Sequence, residues 1–281
     1  TVMHVQSTVF AREDVKKLGV APLTSMYLSG ENATRKFDDF RPEVHDSDGL
    51  SMHTSSGEWI WRSLNNPKGL RVTSLQDEQP KGFGLLQRDQ NFTSYQDTEA
   101  NYHARPGMWI TPDNQWGKGR VELVEIPTNS ETNDNIVSYW VPEEPFKKGE
   151  MRKFDYTVKT VNGALNEDVT ARVTRVFNSW AALPGQDNAP DKSERQMIVD
   201  FSAQAFAHLG QSIRLTPHLS LSSGKFKDLE VVQLPDKKTW RAKFKLMPEN
   251  DEAIDMRLFL TLGDEPISEV WNYVWSSNEV E

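Results

Sequence analysis

Cysteine is absent from all 281 residues. This excludes disulfide staples, thiolate metal sites and cysteine nucleophiles, yet leaves the compartment open, because oxidising compartments also hold many cysteine-free proteins. Long apolar runs are missing too, and nothing approaches the ~20 residues that a membrane-spanning helix needs. No basic block stands out. With 32 Lys and Arg against 41 Asp and Glu, the net charge is −9, so nucleic acid and anionic membranes are poor partners. What is present suits a folded protein: 37% hydrophobic, 26% charged and 10% aromatic residues, with nine Trp. The length exceeds one average domain and allows one large core or two smaller ones. The opening TVMHVQSTVF has neither an initiator methionine nor a natural opening element, as expected of a processed or cleaved piece of something longer.

One helix is expected early, in STVFAREDVKKLG. Ser7 would be its N-cap, Val9, Phe10, Val15 and Leu18 its apolar face, and Gly19 its C′ residue. Afterwards the period becomes two. GEWIWRSL, GLRVTSL, GFGLLQRD, GRVELVEIP, NIVSYWVP and MRKFDYTVKTV alternate apolar with polar residues between turn formers. The linker candidates are NGALNED (162–168) and ALPGQDNAPDKSE (182–194). Beyond about residue 170, seven short strands with turn signals between them suit an immunoglobulin-like sandwich, without the cysteine pair of antibody domains. The whole is an all-β pattern. Chemistry belongs to the first half, where Trp, Arg, Asp, Asn and His gather in the connections.

Three polar stretches stand out. FRPEVHDSDG (40–49) admits a solvated turn, a calcium loop or half of an acid–base site. Its DSDG copies the beginning of a calcium loop, but the later oxygen ligands do not follow. His45 and His53 lack partners at zinc-ligand spacing. Asp46 and Asp48, taken alone, read as turn residues. The second stretch, IPTNSETNDN (126–135), spends about eight residues where a tight hairpin needs two, and carries Glu131 and Asp134. The third, LLQRDQNFTSYQDTEANYHARPGMWI (85–110), mixes carboxylates, arginines and aromatic rings, the set that sugar recognition requires. Its structural alternative is core aromatics under surface charge. No G-x-S-x-G, phosphate loop or serine triad is present. NAT (32–34) and NFT (91–93) fit the glycosylation sequon, which is frequent by chance.

SMYLSGEN, FDDFRPEVHDSDGL, GEWIWRSLNNP, GFGLLQRD, YQDTEANYHARPGMWI, WGKGRVELVEIPTNSETNDNIVSYWVP and SEVWNYVW resemble the periplasmic glucan biosynthesis proteins of the OpgG/OpgD (MdoG/MdoD) family. The motifs occur in the family's order and span nearly the whole chain, matching the C-terminal part of a full member. Full members begin with a signal peptide in the precursor and a large stretch of β-sandwich. The resemblance implies that residues 1–165 supply the C-terminal part of a large catalytic β-sandwich and residues 170–281 an immunoglobulin-like domain. It implies a periplasmic protein acting on osmoregulated glucans of β-1,2-linked glucose, and most specifically an inverting endo-β-1,2-glucanase.

The resemblance also implies roles for residues. Asp46 matches the general base and Asp134 the general acid. Tyr102 and Arg105 match substrate-cleft residues, Glu131 and Thr132 stand beside the acid, and Ser47 and His45 beside the base complete the substrate-binding set. Family members pass protons through waters, and on the acid side through a substrate hydroxyl. No metal and no cofactor is implied. The implied partners are β-1,2-glucan, the N-terminal portion of the same protein and a second copy in a homodimer; nucleic acid is not among them. An acid must hold its proton near neutral pH, so Asp134 is expected to be raised by desolvation or by Glu131, with His45 or Arg41 favouring the ionised form of Asp46. Two rival functions remain: a non-hydrolytic glucan-binding or assembly factor, and a glucan-branching transglycosylase.

Overall fold

The computed structural model describes residues 1–32, 37–163, 165, 171–210 and 213–279. Ala33 and Thr34 of the first sequon, and most of the NGALNED linker, lie outside the described residues. The chain forms two compact units: Thr1–Ser29, Asp39–Ile60 and Leu64–Leu165 make the first, while Gly30–Asp38, Trp61–Ser63 and Asn166–Glu281 make the second.

The first unit is built from two antiparallel sheets. One runs in the order Val2–Phe10, Met151–Val161, Gly107–Pro112, Gly82–Leu86, Gly49–His53. The other runs Val20–Ser25, Ile136–Pro142, Gly119–Glu125, Arg71–Asp77. Between them lies a core that includes Leu50, Met52, Phe83, Leu85 and Ile110 from the first sheet and Leu23, Val121, Leu123, Ile136 and Trp140 from the second. Alternation explains the selection, since every second residue of a strand faces the same side. Close approach of backbones is needed where Gly84 stands: a Cβ there would lie 2.2 Å from the Met108 carbonyl oxygen and 2.9 Å from the Trp109 ring.

The expected early helix is not formed. Val2–Phe10 is a strand, paired residue for residue with Met151–Val161 from Val2↔Lys159 to Phe10↔Met151. It is an outermost strand of its sheet and largely exposed, so its alternating pattern is weak in the sequence. Only Val5 and Val9 pack on the core, whereas the lysines that suggested a last helical turn follow the strand. Gly19 is not a helix terminus; it fits under the Tyr139 ring, 3.1 Å from where its Cβ would be.

The second unit is also all-β. Arg172–Trp180, Arg195–Ser202, Thr239–Met247 and Lys225–Gln233 form one antiparallel sheet in that order. Val270–Trp275, Ile254–Leu262 and Thr216–Leu221 are consecutive neighbours in the other. Trp240, Ala242, Phe244 and Leu246 alternate as buried residues along one strand, and Phe244 meets Trp271 edge-on at 6.4 Å. This is the sandwich arrangement that the seven-strand text implied.

Candidate active site

The first unit brings two of the three polar stretches onto one short piece of backbone, Ser25–Tyr27. Asp46 follows the two-residue strand Val44–His45, which pairs with Tyr27–Ser29. The Asp46 N–H donates to the Met26 carbonyl at 2.9 Å. From the other side arrives the loop that ends at Asp134. Its next residue, Asn135, is buried; its Oδ1 accepts from the Tyr27 N–H at 2.8 Å and its Nδ2 donates to the Tyr27 and Ile126 carbonyls, both at 3.0 Å. Asn66 holds the foot of the same loop, donating to the Leu28 and Thr128 carbonyls and accepting the Thr128 N–H at 3.0 Å. A loop this polar stays ordered because its backbone groups have fixed partners.

Asp46 and Asp134 consequently wall one cavity of about 270 Å³, shared with Leu23, Thr24, Ser25, Ser47, Leu85, Arg105, Pro106 and Met108. Arg105 Nη1 lies 2.8 Å from Asp46 Oδ1, an ion pair at the cavity wall. Ser25 donates to Ser47 at 2.8 Å on the buried wall. Burial pushes the Asp46 carboxyl above its ordinary value; the Arg105 guanidinium opposes this, the Asp134 charge adds to it, and His45 opposes it.

Beyond the cavity the contacts continue. Arg105 rests over the Tyr102 ring at 4.9 Å, and the Tyr102 hydroxyl donates to Glu131 at 3.0 Å. Glu131 in turn pairs with Arg41 at 2.8 Å, and Arg41 also holds Asp39 and Asp97 at 2.7 and 2.8 Å. Burial opposes the charge of Asp97, but Arg41 and the N–H groups of Ala100 and Glu99 outweigh it and hold that carboxyl below the ordinary range.

Several expectations change on this geometry. Glu131 is paired with Arg41, which it shares with Asp39 and Asp97. Arg41 serves those three carboxylates, and Arg105 is the guanidinium on Asp46. The carboxyl that burial raises is Asp46, the expected base. His45 is 1% exposed and lies in the interior, away from the cavity wall. Thr132 is exposed and bonds Ser130 at 2.8 Å. Asp48 keeps the turn role: its carboxylate accepts the N–H groups of Arg88 and Asp89 at 3.0–3.1 Å. Tyr95, Trp109 and Trp140 are buried core residues and offer no open ring to a sugar. Asn135, Ser25, Gln87 and Glu43 were not singled out from the sequence. Asn135 alone left a signal there, as the last polar residue before a buried strand.

Fold and site together define an all-β protein that presents two carboxylates and an arginine in one polar cavity. The chain matches the family model described as "Periplasmic glucan biosynthesis protein, MdoG" over residues 1–275. The "Probable glucans biosynthesis protein D" of Shewanella oneidensis is 41% identical over 276 residues, which are 98% of this chain and 51% of that relative. The chain belongs to the MdoG family of periplasmic glucan biosynthesis proteins. It spans about half the length of the curated relative it matches.

Proposed function

We propose that the chain carries the acid–base centre of a periplasmic, inverting endo-β-1,2-glucanase, with Asp134 as general acid and Asp46 as general base. The observation that supports this best is the shared cavity: two carboxylates from loops far apart in sequence face one space, and the Asp134 charge reaches Asp46. An inverting glycosidase uses one carboxylic acid to protonate the leaving oxygen and one carboxylate to draw a proton from the attacking water. The two groups typically stand ~6.5–9.5 Å apart to admit that water.

Each group suits its part. Asp46, partly buried, is a stronger base than a solvated aspartate once ionised, and Arg105 favours the ionised form. Asp134 sits at the exposed end of its loop. A glucan seated in the cavity can reach it there. Tyr102, Arg105, Glu131, Ser47 and Thr132 line or brace the approach and are proposed to handle sugar hydroxyls. A second reading exchanges the two roles, because the carboxyl that burial raises is Asp46.

Incubation with linear β-1,2-glucan, with products resolved by size, tests the assignment. Asp46→Asn and Asp134→Asn should each lower reducing-end release by at least ~100-fold. On a glucoside with an activated aryl leaving group, Asp134→Asn should recover much of its rate and Asp46→Asn none; the reverse result exchanges the roles. Near-normal turnover in either variant removes its residue from the chemistry. Binding without cleavage makes the protein a glucan-handling scaffold, and longer or branched products make it a transferase.

A further inference from the structure

Behind Asp46, on the interior side of the Val44–His45 strand, lies a buried array that the proposed chemistry does not use. His45 Nε2 faces Glu43 Oε2 at 2.9 Å, and its Nδ1 faces Gln87 Oε1 at 3.0 Å. The orientation of the Gln87 amide is fixed independently, since its Nε2 donates to the His45 carbonyl at 3.0 Å and the Tyr102 carbonyl at 3.2 Å. Its oxygen therefore accepts, and His45 Nδ1 must carry a hydrogen. The other ring nitrogen meets a carboxylate. A bare Glu43 charge is costly at this depth, 7% exposed, so a second proton belongs between Glu43 and Nε2. The Tyr27 ring stacks on the imidazole at 5.1 Å and 12°, and the Tyr95 ring meets it edge-on at 5.2 Å. A flat aromatic face welcomes a cation.

We propose that His45 is a positioning residue: an interior imidazolium, clamped by Glu43 and Gln87, that favours the ionised form of Asp46. Through Gln87 the same clamp fixes the turn that carries Tyr102 and Arg105. Its catalytic consequence rests on the glucanase reading above. Among the described residues, the charged and titratable groups around the ring are Glu43 on its own strand, Asp46 with Arg105 and Asp48 with Arg88 beyond it, and the Tyr27 and Tyr95 hydroxyl-bearing rings, the latter with Asp89 beside it. Burial opposes the charge on His45, but Glu43 and Asp48 outweigh it and hold the imidazole above its ordinary value. In Asp46, His45 and Arg105 counter the burial and the Asp134 charge.

Nitrogen-15 spectra of the histidine rings test the first half on the unaltered protein, whether or not it cleaves glucan. His45, identified by the signal lost in His45→Asn, should show both ring nitrogens protonated at neutral pH. Carbon-13 titration of the Asp46 carboxyl tests the second half: its midpoint should move to higher pH in His45→Asn and in Glu43→Gln. With activity, kcat/KM should fall about three- to ten-fold further on the acid side of the profile than on its plateau, where loosening of the Tyr102–Arg105 turn is the only loss. Glu43→Gln keeps the test open if His45→Asn does not fold. A neutral His45 ring, an unmoved Asp46 midpoint, or an equal loss at every pH overturns the proposal. An inactive protein with the expected spectra overturns only the glucanase reading.

Discussion

Asn135 grips both ends of the Tyr27 residue, accepting from its N–H and donating to its carbonyl. The neighbouring Met26 carbonyl holds the Asp46 N–H. Two residues of one strand connection thus fix the backbones that carry both carboxylates.

Asn135→Ala should therefore cost more than an ordinary surface change. It removes both Asn135 bonds to the Tyr27 backbone and frees the Asp134 loop. Unfolding in denaturant should show a loss of about 2–4 kcal/mol, and any glucan hydrolysis should drop in kcat more than in binding.

Asp46 predicts a trade between activity and stability. Its folded-state pKa is raised, chiefly by burial, so the protonated form favours the fold. That contribution is present below the unfolded pKa and is lost as pH rises through the folded one. Asp46→Asn should raise the Tm at neutral pH, with the gain vanishing in acid. For a base that must be ionised, the acid limb of kcat/KM should lie above the ordinary aspartate range. Calorimetry across pH and a pH–rate profile check the two halves.

Arg41→Met should destabilise by about 1–3 kcal/mol, because it removes the half-buried guanidinium that Asp39, Asp97 and Glu131 share. The folded pKa of Asp97 is depressed, so the pairing stabilises above the unfolded pKa and fades as pH falls through the folded one. The gap between variant and parent should shrink in acid; urea titrations at pH 7 and pH 3 would show it.

Gly84→Ala should cost about 1–3 kcal/mol by pushing the Gly82–Leu86 and Gly107–Pro112 strands apart. Since Leu85 and Met108 line the cavity, the same variant should weaken glucan binding. Chemical denaturation together with a binding titration measures both.

Strand alternation was legible where one face of a strand is buried, as in Thr239–Met247, whereas Gly119–Glu125 buries residues on both faces. It failed at Val2–Phe10, where an outer strand buries little and a charged tail imitates a helix. Asp46 and Asp48 show the other limit. They are identical in type, two residues apart and beside the same glycine, yet one walls the cavity while the other caps two backbone N–H groups. Only the long-range pairing of Val44–His45 with Tyr27–Ser29 separates them. Local spacing carries no trace of the Asn135–Tyr27 or Gln87–His45 contacts, which depend on strands brought together from distant parts of the chain.

The cavity and its bracing network hold Asp39, Asp46, Asp97, Glu131 and Asp134 against Arg41 and Arg105. A pocket of that sign repels uronic-acid polymers and sulfated chains, and the repulsion weakens as salt is added. An uncharged polysaccharide meets no such repulsion.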